Sequence, residues 1–398
     1  MTERLARALA LVSTGILGWT YGGYLLFLRL LAPLAGRRVA KPLDLPPLIT
    51  VILSAYNEER VIRAKIENLL GLSYPADRLE ILVGSDGSSD ATASIVREMS
   101  APNVHVFAFS ERRGKALVCN DLVEQAHGEW LFFTDAGTML ERDCLTTMAR
   151  HFGDPRVAMV DAAMVLANGD GGLARDVGVY WKFESALKIA ETQLGCLAST
   201  FGSCTAVRRG SFRPLGPTED VDFTTALEVV SEGDLIVHEP AARVFEITHG
   251  DHRSQYEARA RMVTKNLPGT IRKLDRGIAS RPLVALSILS HKVLRWLTPF
   301  FLLTQLLAAG AAARRRRRYA ALMTPAICLG AGAAIGWLGE LAKRRIPVAS
   351  SALSFAVANA GFMAGVWNSL RGVEIRQWEP YAHAPVPGTA ERELDAVR

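Results

Sequence analysis

The chain has 398 residues, 49% of them apolar, which is enough for one sizeable α/β domain with several apolar spans. Its net charge of +6 would suit nucleic acid. However, the basic residues collect beside apolar segments, at 314–318 and at Lys343, Arg344 and Arg345, where cationic side chains meet lipid headgroups. No basic stripe with interleaved aromatics is present, which excludes a nucleic-acid groove. The five cysteines (Cys119, Cys144, Cys196, Cys204 and Cys328) show neither CxxC nor His/Cys ligand spacing, which excludes a disulfide framework and a structural zinc and suits the reducing cytosol.

Arg4 and Arg7 precede an apolar run over 8–35. The run is too long for a cleaved signal and reads as an uncleaved anchor within 1–37. Residues 38–47 are Pro-rich and form a linker. From Leu48 the pattern changes. LITVILSAY reads as a buried strand, followed by a helix with apolar Val61, Ile66, Leu69 and Leu70 that Asn57 is placed to cap. LEILVGSD is a second strand, with SSDATASIVREM as its helix, Ser88 as the cap and Asp90 complementing the dipole. NVHVFAFS, GKALVCNDLVEQA and GEWLFFTD continue as strand, helix and strand. This alternation predicts an α/β fold with a mostly parallel sheet covered by helices on both faces.

Beyond Arg281 the chain is apolar again, interrupted by His291, Lys292 and Arg295. Charges in mid-span are expensive, so 282–295 is expected along the interface as an amphipathic helix and 296–313 as an inserted segment. Residues 319–341 and 347–370 are cleaner spans. A re-entrant 296–313 would keep the five arginines 314–318 on the same side as the domain, as the positive-inside bias favours.

Ligands on parallel sheets bind beyond the carboxyl ends of the strands. That is where Ser54-Ala55-Tyr56-Asn57-Glu58, Ser85-Asp86-Gly87-Ser88-Ser89-Asp90 and Thr134-Asp135-Ala136-Gly137-Thr138 fall. Asp86, at the last strand position, can accept from a base N–H. Gly114-Lys115 opens a helix after a strand and suits a diphosphate or a cluster of carboxylates. Thr218-Glu219-Asp220 is an acidic helix start, and the small residues around Phe201-Gly202-Ser203-Cys204 allow a close approach to the backbone. Arg259, Arg261 and Lys265 share parts of one helix face and could clamp a diphosphate.

The ordered set AYNE, SDGSSDAT, GK, TDAGT, FGSCTAVRR and TED strongly resembles family 2 glycosyltransferases of the GT-A fold, in their membrane-integrated branch, over roughly 48–275. The resemblance implies a Rossmann-like GT-A domain at 48–275 in the cytosol, followed by an interfacial helix and membrane helices at 276–372 and a tail at 373–398. It implies an inverting transferase at the inner or plasma membrane that passes a sugar from a nucleotide-sugar, foremost a UDP-sugar, to a lipid-linked sugar, glycolipid or polysaccharide. By the same resemblance, Ala55, Tyr56 and Glu58 cradle the nucleotide and Asp86 contacts the base. Asp135 holds Mg²⁺ or Mn²⁺, Gly202, Ser203 and Cys204 face the acceptor, and Asp220 is the general base with Glu219 orienting it.

The chain departs from the family pattern twice. Gly137 stands where a DxD has its second carboxylate, so metal ligation needs help, with His249 as one candidate. Around Gln255 the QxxRW of processive synthases is missing, which favours addition of one or a few sugars. A nucleotidyltransferase would begin with a Gly-rich GxGTR-like loop, and AYNE is not one. The other alternative is a non-catalytic, nucleotide-binding partner of a polysaccharide synthase.

Overall fold

The structure, a computed structural model, describes residues 2–35, 43, 45–167, 172–247, 252–274, 278–344 and 346–377. Most of the 38–47 linker and His249 lie outside the described residues.

The central sheet has eight strands: β1 Ile49–Ala55, β2 Leu79–Asp86, β3 Val104–Phe109, β4 Trp130–Thr134, β5 Thr138–Leu140, β6 Val157–Ala167, β7 Cys204–Arg208 and β8 Leu235–Ile247. Their order is β3-β2-β1-β4-β7-β6-β8-β5. The four strands predicted from the sequence form a parallel half, with β1 between β2 and β4. The other half is mixed: β7 is antiparallel to both β4 and β6, β8 is parallel to β6, and β5 closes the edge antiparallel to β8.

At the N-terminus, α1 Glu3–Gly18 and α2 Tyr24–Leu31 form a continuous span joined by a π turn. Within the domain, α3 Ile62–Leu70, α4 Thr92–Glu98 and α5 Lys115–Gln125 follow the first three strands, and α6 Cys144–Ala149 follows β5. Further along are α7 Gly172–Leu194, α8 Val221–Glu232 and α9 His252–Leu274. The strands alternate their side chains between two cores. Val51, Leu53, Trp130 and Phe132 pack with α3, α4 and α6, while Ile52, Leu131 and Phe133 pack with α5, α7 and α8. Strands buried on both faces read as unbroken apolar runs, which is why β1, β2 and β4 were legible, while β3 at the sheet edge is only partly buried. Gly84 lets α5 lie directly on β2, because a Cβ there would stand 2.4 Å from Val118 Cγ1.

The remaining helices are α10 Pro282–Ser287, α11 Leu294–Trp296, α12 Thr298–Ala313, α13 Thr324–Leu341 and α14 Pro347–Leu370. Three helical segments, Glu3–Ala35, Arg317–Leu341 and Pro347–Leu370, are long and apolar enough to cross a membrane, and Pro282–Trp296 meets Thr298–Ala313 at a 65° bend. The charges that interrupt the apolar text are paired across that bend with α7. His291 bridges Glu184 (2.9 Å) and Glu191 (2.9 Å), and Arg295 donates to Glu184 at 2.7 Å.

The bend fits either a broken span or the expected re-entrant segment, and the contacts of α12 describe how it packs. It runs antiparallel to α1 and the π turn after it: Ala6 packs with Ala312, Ala10 packs with Ala308 and Ala309, and Gln305 donates to Thr14 at 2.9 Å. At the other end, Tyr21 donates to Thr298 at 3.1 Å. Arg316 therefore lies beside Glu3, at 3.8 Å. Tyr24, which donates to Glu191 of α7, is about 30 Å away along the helix at 1.5 Å per residue.

Candidate active site

The loops after β1 and β2 are stitched together. Asn57 is not a helix cap: its φ is +54° and its Oδ1 accepts from Ser89 N–H at 2.9 Å. Glu58 N–H donates to Thr92 Oγ1 at 2.8 Å, and Glu59 N–H donates to Asp90 at 3.1 Å. Asp90, rather than Ser88, caps α4 by accepting from Thr92 N–H at 3.0 Å. Ser88 instead bonds to Asn57 N–H and to Ser85.

The buried carboxylate of Asp86 accepts from Arg113 N–H at 2.7 Å and Gly114 N–H at 2.9 Å. It thereby fixes the turn from which Lys115 reaches the sheet. Gly114 has φ +94° and ψ 151°, a region open essentially to glycine alone. A Cβ on it would stand 2.5 Å from the Arg376 carbonyl. The beginning of the C-terminal tail therefore crosses this corner, and Gln377 Nε2 donates to the Arg112 carbonyl at 2.6 Å. The Arg112 guanidinium lies 3.8 Å from the centre of the Tyr56 ring.

These elements enclose a cavity of about 310 Å³ lined by Tyr56, Glu58, Asp86, Lys115, Asp135 and Arg261 among others. Lys115 forms an ion pair with Asp135. Burial works against its charge, but Asp135 outweighs burial and holds the ammonium above its ordinary range. Two further carboxyls share the cavity. Burial, then the charges of Asp135 and Asp90, push Glu58 up to about 7. Burial, then Asp135, push Glu246 of β8 up to about 7. Glu246 stands opposite Thr138 in the β5–β8 register, next to the turn in which Gly137 replaces a carboxylate. Beneath the turn lies Lys65, fully buried, pushed down to about 7 chiefly by burial.

Lys115 also lines a smaller cavity, of about 40 Å³, together with Asp220, Asp222 and Lys265. Asp220 is the N-cap residue of α8 and pairs with Lys265. Glu219 accepts from Gly216 N–H at 2.8 Å and lies 3.5 Å from Arg272. Burial, then Asp220, push Asp222 up to about 6. A Cβ on Gly202 would lie 3.1 Å from the Asp222 carboxyl carbon, so this glycine admits the carboxylate. Ser203 is buried, and Cys204 sits in β7 with its thiol turned to the Ala162 carbonyl at 3.6 Å.

On α9, Ala258 and Arg261 face the larger cavity and Lys265 the smaller. Arg259 instead turns its Cβ toward α14, 2.9 Å from where a Cβ on Gly361 would be. Of the predicted residues, then, the structure gathers Tyr56, Glu58, Asp86, Lys115, Asp135 and Arg261 around one cavity, with Asp220 in the adjoining one. Ala55 is buried in β1 beneath them. Sequence reasoning missed Lys65, Asp222 and Glu246. None of the three carried a clear local signal.

The loop before β7 is anchored from below by a buried cluster. Asp161 of β6 accepts from Phe201 N–H at 2.7 Å, from Lys188 at 2.8 Å and from His238 at 2.7 Å.

Carboxylates and ammonium groups at the carboxyl ends of a sheet in this order define a GT-A fold. A mannosyltransferase from Pyrobaculum calidifontis, solved in complex with GDP-Man and Mn²⁺, shares it with a TM-score of 0.67 and 24% identity, over 90% of this chain and 99% of that one. Residues 50–216 match the model of glycosyl transferase family 2, so the chain carries a family 2 glycosyltransferase domain. It is 28% identical over 203 residues to the poly-β-1,6-N-acetyl-D-glucosamine synthase of Staphylococcus aureus, covering 49% of this chain and 48% of that one. With the synthase of the same name from Staphylococcus epidermidis it is 27% identical over 171 residues, 42% of this chain and 41% of that one. The chain thus spans about half the length of the curated relatives it matches.

Proposed function

We propose that the protein is an inverting glycosyltransferase that moves a sugar from a nucleotide-sugar, foremost a UDP-sugar, to an acceptor held at the membrane. The observation that carries this reading is Lys115, which pairs with Asp135 in the larger cavity and also lines the smaller one beside Asp220. A donor diphosphate and an acceptor hydroxyl would meet at that shared wall.

In this reading Tyr56 and the loop fixed by Asp86 seat the base and ribose, while Lys115 and Arg261 steady the diphosphate. The acceptor oxygen attacks the anomeric carbon, the carbon–oxygen bond to the diphosphate breaks, and Asp220 takes the hydroxyl proton. Glu219, tied to Gly216 and Arg272, sets the corner from which Asp220 reaches. Gly202 and Ser203 border the acceptor side, with Cys204 supporting them from the core.

The site suits Mg²⁺ or Mn²⁺ through hard oxygen donors. Asp135 would hold the ion with Glu246 making up for Gly137, and Glu58 adds negative charge nearby. Among the described residues no group of three ligands is preassembled, so diphosphate and water oxygens complete the set. When bound, the metal neutralises the departing diphosphate.

The segment Glu3–Ala35 with α12 and α13 would anchor the domain on the cytosolic face of the plasma membrane and present it to a lipid-linked sugar, glycolipid or polysaccharide. The test is nucleotide release from protein in nanodiscs, screened over UDP-, GDP- and dTDP-sugars with and without Mn²⁺ or Mg²⁺. Release from one donor class that is lost in Asp135→Asn supports the reading. Nucleotide binding with no release from any donor would favour the non-catalytic partner instead.

A further inference from the structure

Lys65 has no role in the reaction as described, yet its amine is fully buried. Burying a charge without a counterion is costly, and among the described residues no carboxylate forms an ion pair with it. Its hydrogen bonds go to neutral oxygens at the two ends of one turn: Thr134 Oγ1 at 2.8 Å, the Thr138 carbonyl at 2.6 Å and Thr138 Oγ1 at 3.4 Å. Between those ends lie Asp135, Ala136 and Gly137. The two threonine hydroxyls are 3.1 Å apart, and Thr138 Oγ1 donates to the Asp135 carbonyl at 2.9 Å. One turn further along α3, Asn68 donates to the Leu140 carbonyl at 2.9 Å and accepts from Leu140 N–H at 2.8 Å. Helix α3 therefore grips the β4–β5 connection at two points, and the Lys65 grip spans the aspartate that faces the donor cavity.

We infer that Lys65 is a positioning residue, which holds the 134–138 turn so that Asp135 faces the diphosphate. The inference rests on the donor reading of the larger cavity for its catalytic consequence, but not for its geometry.

Lys65→Met keeps the volume and removes both charge and donors. Removing a buried charge is favourable but leaves the Thr138 carbonyl without its donor, so the two effects oppose and Tm is expected to change little. In nanodiscs without substrate, amides of 135–140 should exchange hydrogen at least about tenfold faster, with the rest of the domain unchanged. With the donor found in the release screen, kcat should fall about tenfold or more while the donor KM stays within about threefold, because a small misplacement costs rate more than binding. Thr134→Val loosens the same grip from the strand side, should move both readouts in the same direction by less, and decides the matter if Lys65→Met fails to fold.

Local protection and kcat both within twofold of wild type would overturn the inference. So would faster exchange spread over the whole domain with kcat per folded molecule intact, which marks a merely structural lysine, or a kcat loss without local exchange. If wild-type protein turns over no donor, the donor reading fails, and the exchange measurement alone decides whether Lys65 holds the turn.

Discussion

Asp161→Asn isolates a buried electrostatic contact beneath the loop that carries Phe201. Asp161 and Lys188 are both essentially inaccessible, at 0% and 2% relative exposure. Burial disfavours the Asp161 carboxylate, but Lys188 and then His238 outweigh it and hold its pKa below the usual carboxylate range. The amide keeps an oxygen for Phe201 N–H and removes the charge that Lys188 pairs with. Leaving one partner of a buried pair unmatched costs about 3–5 kcal/mol. At about 2–4 °C per kcal/mol for a domain of this size, that is a fall in Tm on the order of 6–20 °C.

The assay is thermal unfolding of wild type, Asp161→Asn, Lys188→Met and the double variant in one detergent. The double variant should recover most of the loss, since it buries no unmatched charge. The sign with pH follows from the lowered carboxylate: its contribution is present above the ordinary Asp value and is lost as pH falls through the folded one. The wild-type advantage over the double variant should therefore shrink toward acid. A loss below about 1 kcal/mol in Asp161→Asn, or a double variant no better than the worse single one, would refute the reasoning.

Gly114→Ala should cost about 1–3 kcal/mol through strain and overlap with the Arg376 carbonyl, and should raise the donor KM by displacing the start of the tail; unfolding and donor titration read the two effects separately. Asp222, pushed up to about 6 by burial and Asp220, contributes stability that is full below its ordinary value and is lost as pH rises through about 6. Asp222→Asn should flatten that decline in a Tm-against-pH series, and parallel curves would rule the burial argument out. If α12 crosses fully, Arg316→Cys, on a Cys328→Ala background, should react with a membrane-impermeant maleimide from the side opposite the catalytic domain; labelling from the domain's own side would show the re-entrant arrangement.

In the parallel half β1, β2 and β4 were legible because they are buried on both faces and run into Asn57, Asp86 or Asp135, so each binding loop announces itself. The mixed half was not. β5 is three residues long, and β6, β7 and β8 pair through long connections that leave no local trace. Capping was misread at Asn57 and Ser88 because their partners lie across the crevice rather than in the next turn. Asp86, Asp135 and Asp220 could be found as acids at strand or helix ends. Lys65 could not, since a lysine in a short amphipathic helix looks like a solvated one until the sheet is built beneath it. Likewise His291 and Arg295 looked like charges stranded in apolar text, because the partners Glu184 and Glu191 come about a hundred residues earlier.

The central claim, that this site transfers sugar to an acceptor at the bilayer, is tested most directly by following labelled sugar from the donor into the lipid or polymer fraction. Wild-type protein and Asp220→Asn would be compared in nanodiscs supplied with native lipid extract. The account predicts label in the acceptor fraction for wild type, and loss of that transfer in Asp220→Asn with donor binding unchanged. Wild-type protein that binds the nucleotide-sugar but moves no label, or an Asp220→Asn variant that transfers as well as wild type, would contradict it.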